Sequence, residues 1–175
     1  NGFGDAGAEA LGVALQQMPR LQDLRLSQNQ IGVKGAQALA RGLEGTTALE
    51  LLWLWENQIG DAGCQALAAA LAGHRGLRDL SLHTNGFGDA GAEALGVALQ
   101  QMPRLQDLRL SQNQIGVKGA QALARGLEGT TALELLWLWE NQIGDAGCQA
   151  LAAALAGHRG LRDLSLHTNG FGDAG

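Results

Sequence analysis

Leu21-Gln-Asp-Leu24-Arg-Leu26-Ser-Gln-Asn29-Gln-Ile31-Gly32-Val-Lys-Gly35-Ala36-Gln-Ala38-Leu39 is the stretch on which the fold turns, because its apolar period changes partway along. Leu24 and Leu26 alternate, the two-residue period of a strand that buries one face and leaves the other free. Beyond Asn29 the spacing lengthens. Leu39 and Leu43, like Leu11 and Leu15 with Ala8 and Ala14, recur at helical spacing and form one apolar stripe. Gly32 and Gly35 mark the turn between the two regimes. The stretch predicts a short strand, a turn and a helix of roughly three turns. Strands joined through helices run parallel.

Outward from this stretch the same slots recur every 28 residues. Leu21, Leu49 and Leu77 share one slot, and so do Leu24, Leu52 and Leu80, then Leu26, Leu54 and Leu82. Asn29, Asn57 and Asn85 follow, then Ile31, Ile59 and Phe87. Residues 1–84 recur letter for letter as 85–168, and Asn169 to Gly175 begin a third copy. The chain reads as a single domain, 1–175, of repeats 1–28, 29–56, 57–84, 85–112, 113–140 and 141–168, with a partial repeat 169–175. One unit cannot cover its own apolar face, so the units must stack. Surface positions drift under mutation, so perfect copies imply an engineered or very recent tandem duplication.

The pattern Leu-x-x-Leu-x-Leu-x-x-Asn-x-Ile-Gly-x-x-Gly-Ala-x-Ala-Leu resembles the ribonuclease-inhibitor class of leucine-rich repeat, also found in NOD-like receptors. The resemblance covers the whole chain. It implies a curved α/β solenoid, a horseshoe with a parallel β-sheet on its concave face and α-helices on its convex face. It also implies that the recurring asparagine forms a buried ladder, its amide satisfying backbone groups of neighbouring turns. Members of the family serve many partners, so it does not name one.

Composition narrows the function. Twelve basic and 17 acidic residues give a formal charge of −5, against the basic stripe that nucleic acid requires. No apolar run approaches the roughly 20 residues that span a bilayer. Cys64 and Cys148 occupy equivalent slots three repeats apart, about 14 Å or more by strand spacing. That exceeds the roughly 7 Å Cα limit for a disulfide, so both are expected as reduced core residues suited to a cytoplasmic setting. The chain begins inside a repeat without a polar capping unit, so its ends are expected to continue into flanks or to stack on other copies.

Three motifs invite other chemistry. Gly2-Phe-Gly4-Asp-Ala-Gly7, repeated from Gly86 to Gly91, satisfies a dinucleotide fingerprint. Gln30 and Gln58 nevertheless replace its first glycine in equivalent turns, so the glycines are read as turn-forming and no cofactor is expected. Asp79, Ser81 and His83 alternate on one strand face. Neighbours there lie roughly 7 Å apart, beyond a hydrogen-bond reach of about 2.6–3.2 Å, so no catalytic set and no enzyme are expected. His83 and His167 stand three repeats apart, which supports no metal site.

The free face of the strands is where binding is expected. Asp23, Leu51 and Asp79 make one row across the units, and Arg25, Trp53 and Ser81 the next. Ser27, Trp55 and His83 make the third, then Gln28, Glu56 and Thr84. The grid recurs with Asp107, Arg109, Trp137, Trp139, Glu140, Asp163 and His167. Leu52 and Leu54 hold the inward slots, so Trp53 and Trp55 point outward as exposed interface anchors. Arg25 is placed to stack on Trp53, and His83 lies beside Trp55. Acidic residues outnumber basic ones on this face, which favours a basic protein partner. By resemblance, Trp53, Trp55 and Glu56 match a Trp-x-Trp-Glu segment of partner contacts in the ribonuclease-inhibitor class. The rival expectation is a scaffold whose only activity is end-to-end self-assembly into a homo-oligomeric ring or filament.

Overall fold

A computed structural model describes residues 2–173 and 175. Asn1, assigned to the asparagine ladder from its slot, lies outside them, as does Ala174 in the partial repeat. Helix and strand alternate along the chain: α1 (Gly4–Leu15), β1 (Asp23–Arg25), α2 (Val33–Leu43), β2 (Leu51–Trp53), α3 (Gly60–Leu71), β3 (Asp79–Ser81). The second copy repeats them as α4 (Asp89–Leu99), β4 (Asp107–Arg109), α5 (Val117–Leu127), β5 (Leu135–Trp137), α6 (Gly144–Leu155) and β6 (Asp163–Ser165). The strands form one parallel sheet in chain order, each offset from the next by one 28-residue unit.

The inward leucines do what their alternation requires. Leu52, Leu54, Leu80, Leu82, Leu110 and Leu136 are completely buried beneath the sheet, against Leu39, Leu67, Leu95 and Leu123 from the helices. Cys64 and Cys148 lie in this layer as free thiols, and burial pushes the Cys64 thiol far above its ordinary range. Packed helices need 8–10 Å each and paired strands about 4.8 Å, so stacking units curves the solenoid with the sheet on the inside. Where α1 and α2 cross, a Cβ on Gly42 would collide with the carbonyl oxygen of Gly12, so both glycines let the helices close. No helix among the described residues is long and apolar enough to cross a membrane.

Two sets of side chains tie neighbouring units together. Asn113 shows the first. Its Nδ2 donates to the carbonyls of Leu82, Leu110 and Ser111 at 3.0–3.2 Å, while its Oδ1 accepts the backbone N–H of Asn85 at 3.0 Å. Asn57, Asn141 and Asn169 repeat the pattern, and Asn85 repeats its donor half while its buried Oδ1 finds no partner, so the ladder that the family resemblance implied is present. The second set is aspartates in the first helical turn. Asp61 Oδ1 accepts from the N–H groups of Gly88 and Gly91, both at 2.8 Å, and so caps the N-terminus of α4 from the preceding unit. Asp5 and Asp89 do the same for α2 and α5.

The tight turn at each strand exit is not at a glycine. Gln28, Glu56, Thr84, Gln112, Glu140 and Thr168 adopt left-handed backbone, φ from 52 to 60°. Their side chains in part hydrogen-bond along the row, Gln28 to Glu56 at 2.8 Å and Thr84 to Gln112 at 2.9 Å.

Candidate functional site

The outward strand positions assemble a continuous face. Register sets Arg25 beside Trp53, Trp53 beside Ser81, Ser81 beside Arg109 and Arg109 beside Trp137. The strand positions Asp23, Asp79, Asp107 and Asp163 form the flanking row. Trp55, His83, Trp139 and His167 follow just beyond the strands, where backbone pairing continues from Gln28 to Trp55 and from Glu56 to His83.

The aromatic rings are braced against their lateral neighbours. The Arg25 guanidinium carbon stands 4.6 Å from the Trp53 ring centroid, and that of Arg109 stands 5.3 Å from Trp137. Trp55 and His83 stack at 5.3 Å with planes 8° apart, and Trp139 and His167 at 5.3 Å and 7°. Both expected neighbours, Arg25 for Trp53 and His83 for Trp55, are in place. The tryptophans themselves are half-buried, not exposed as their outward direction suggested. A cation or an imidazole covers one face of each ring and leaves the other toward solvent or the next strand.

Electrostatics divides the two copies. Arg109 Nη1 meets Asp79 Oδ1 at 2.7 Å and its Nη2 meets Asp107 Oδ2 at 2.9 Å, with the arginine side chain 18 % exposed. Arg25 has only Asp23, at 3.4 Å, and 56 % of its side chain is exposed. Burial raises the Asp79 carboxyl above its ordinary range, an effect that Arg109 opposes. The Trp53 indole N–H, directed toward Asp79, also draws that carboxyl down, although it completes no hydrogen bond of good geometry. Burial lowers the His83 imidazole below its ordinary value of 6.5, with Glu56 opposing. Glu56, Glu140, Asp163 and His167 are exposed on the same side.

One expectation from strand spacing fails. Ser81 Oγ lies 2.9 Å from His83 Nδ1, and Ser165 Oγ 3.0 Å from His167 Nδ1. Cβ spacing along a strand does set same-face neighbours about 7 Å apart, but the imidazole leans back along the strand and closes the gap. This pair is not presented for catalysis. Ser81 is 1 % exposed, and Asp79 turns to Arg109 instead of orienting the imidazole. Among the described residues no group of three or more His, Cys, Asp or Glu side chains is placed to hold a metal ion.

Sequence reasoning missed the aspartate caps and the Arg109–Asp79 bridge. The caps carried a readable signal: Asp5, Asp61, Asp89 and Asp145 occupy the first helical turn in two of every three units, and Val33 and Val117 in the third. The bridge depended on which strand lies beside which.

Comparison with known proteins agrees with this architecture. The family described as leucine rich repeat matches residues 17–40, 54–68, 75–96, 101–124 and 138–152, together more than half of the chain. No curated protein sequence matches significantly. Among solved structures, leiomodin-1 actin-binding site 2 is 18 % identical, with a TM-score of 0.62 over 84 % of this chain and 86 % of that one. An internalin from Listeria monocytogenes is 19 % identical with a TM-score of 0.37, over 92 % of this chain and 65 % of the internalin. The repeat ectodomain of a plant membrane receptor kinase from Arabidopsis thaliana is 16 % identical, with a TM-score of 0.39. The alignment covers 91 % of this chain and only 25 % of that ectodomain. At such identities the likeness to leiomodin-1 is one of fold alone.

Proposed function

We propose that this chain, which belongs to the leucine-rich repeat family, recognises a basic protein segment on the strand face of its solenoid. The observation that carries this reading is the bracing of the aromatics. Arg25 on Trp53, Arg109 on Trp137, His83 on Trp55 and His167 on Trp139 hold four large rings in fixed orientations on one face. Rigid aromatic surface binds at low entropic cost. The face carries Asp23, Glu56, Asp79, Asp107, Glu140 and Asp163 against Arg25 and Arg109, which steers a cationic partner. The Trp-x-Trp-Glu run at Trp53, Trp55 and Glu56 supports the same face through its likeness to the ribonuclease-inhibitor class. Neither catalysis nor a cofactor enters this reading. The letter-perfect second copy supports a tandem duplication, by engineering or recent copying, that doubles the face.

All four tryptophans of the chain lie on this face, so intrinsic fluorescence reports on it alone. Titration with a defined lysine-rich 15-residue peptide is expected to give a saturable, salt-sensitive change, and an acidic peptide of equal length none. Calorimetry on a folded variant with Trp53, Trp55, Trp137 and Trp139 all replaced by Ala is expected to show the affinity lost. Retention of that affinity would overturn the reading.

A second reading, pairing between copies, has one observation in its favour. Leu164 is 47 % exposed and Phe3 37 %, where the equivalent Leu80 and Phe87 are fully buried. A further repeat covers such positions, whether it comes from the same chain or from another copy. Light scattering over a concentration series separates a constant monomer mass from a rising one.

A further inference from the structure

The second row of the strand face has a gap. Arg25, Trp53, Arg109 and Trp137 are all large, and between Trp53 and Arg109 stands Ser81. The serine hydroxyl is tied to His83 at 2.9 Å and lies at the floor, 1 % exposed. Above it opens a cavity of about 310 Å³ lined by Trp53, Trp55, Ser81, His83, Arg109 and Trp137. It lies at the junction of the two 84-residue copies, inside the sheet and away from either end.

The walls are set for a flat occupant. Arg25 covers the Trp53 ring from the β1 side, so the other ring face is turned toward β3 and the gap. Across the gap Arg109 is held by Asp79 and Asp107 and backed by Trp137. The backbones of β2 and β4 stand two strand spacings apart, about 9.6 Å, and Arg109 leans from β4 across β3 to Asp79, which narrows the opening toward Trp53. Aromatic rings pair favourably at centroid separations of about 4.5–7 Å, and a cation acts on a ring within about 6 Å. One planar ring midway therefore has Trp53 and the Arg109 cation both in range, and the row becomes an unbroken stack from Arg25 to Trp137. A second ring does not fit.

From this we infer that the Ser81 notch is a specificity pocket for one aromatic side chain of a protein partner, carried in a basic segment. The inference rests on the strand-face reading and deepens it. Charge complementarity decides the flanks. Asp79 and Asp107 are committed to Arg109, while Glu56 and Glu140 on the rim and Asp163 beyond them remain exposed to meet lysine or arginine residues on either side of the ring.

The test uses two synthetic peptides of equal length and charge, Lys-Gly-Lys-Phe-Lys-Gly-Lys and the same peptide with Ala for Phe. Phenylalanine leaves the tryptophan signal of the protein unobscured. The Phe peptide is expected to bind about tenfold more tightly, the gain from one ring stacked on both walls. Its ring protons are expected to shift upfield in the NMR spectrum of the complex with the unaltered chain. Ser81→Leu fills the notch, so it is expected to abolish the Phe advantage and bring the two peptides to equal affinity. Ser165→Leu, in the equivalent slot on β6, is expected to preserve the advantage. Equal affinity for both peptides, absent ring shifts, or a Phe advantage that survives Ser81→Leu would overturn the notch and spare the strand-face reading. Failure of both peptides to bind would overturn the two together.

Discussion

Arg109 reaches back across a strand boundary to Asp79, Nη1 to Oδ1 at 2.7 Å, and its twin Arg25 has no such contact. The two arginines have identical sequence neighbours for many residues on either side. What separates them is the adjacent strand: β3 offers a carboxylate to Arg109, and no described strand precedes β1. The bridge also fixes one wall of the Ser81 notch.

Asp79→Ala is therefore expected to destabilise the chain by about 1–2 kcal/mol, between the values for exposed and buried pairs. Asp23→Ala, which removes the exposed pair, is expected to fall within about 0.5 kcal/mol of the unaltered chain. Urea midpoints of the two variants give the comparison, and equal losses would mean that the bridge contributes nothing particular.

Stability is expected to fall on mild acidification, in part through His83. Burial lowers its pKa in the folded chain below the ordinary 6.5, with Glu56 partly compensating. A depressed folded pKa means that the unfolded chain takes up the proton first. The contribution is present above pH 6.5 and is lost as pH falls through the folded value. Asp79 works in the opposite sense at lower pH, since its raised pKa favours the folded chain only where the carboxyl is protonated. Denaturation at pH 7.5 and 5.5 is expected to show a smaller drop for His83→Gln than for the unaltered chain.

Asn113→Ala is expected to cost about 1–3 kcal/mol, because it leaves the buried Asn85 N–H without a partner and takes one of two donors from the carbonyls of Leu82 and Leu110. Thermal unfolding measures it. A loss below about 1 kcal/mol would show that water replaces the ladder at this level.

Asp61→Ala is expected to cost about 1–2 kcal/mol and to act on the next unit, since its carboxylate caps α4. Amide hydrogen exchange locates the effect: protection should fall at Gly88 to Gly91 more than within α3, where Asp61 itself resides. Loss confined to α3 would contradict the bridging role.

Much of this architecture was legible in the sequence alone, because a repeat protein is largely a local rule applied many times. The switch from Leu24 and Leu26 to Leu39 and Leu43 settled strand and helix, and 28-residue recurrence settled that units stack in parallel. Alternation alone sent Trp53 and Trp55 to the free face and Leu52 and Leu54 to the core. The ladder was implied by the family resemblance that the recurring asparagine helps to carry. The tertiary structure decided what happens sideways. It put Ser81 between Trp53 and Arg109, bent His83 back onto Ser81, and joined Asp79 to Arg109. It also covered one face of every tryptophan. Periodicity assigns a direction to each side chain, but depth and partnership depend on lateral neighbours and on rotamers, which meet only when units 28 residues apart stand side by side.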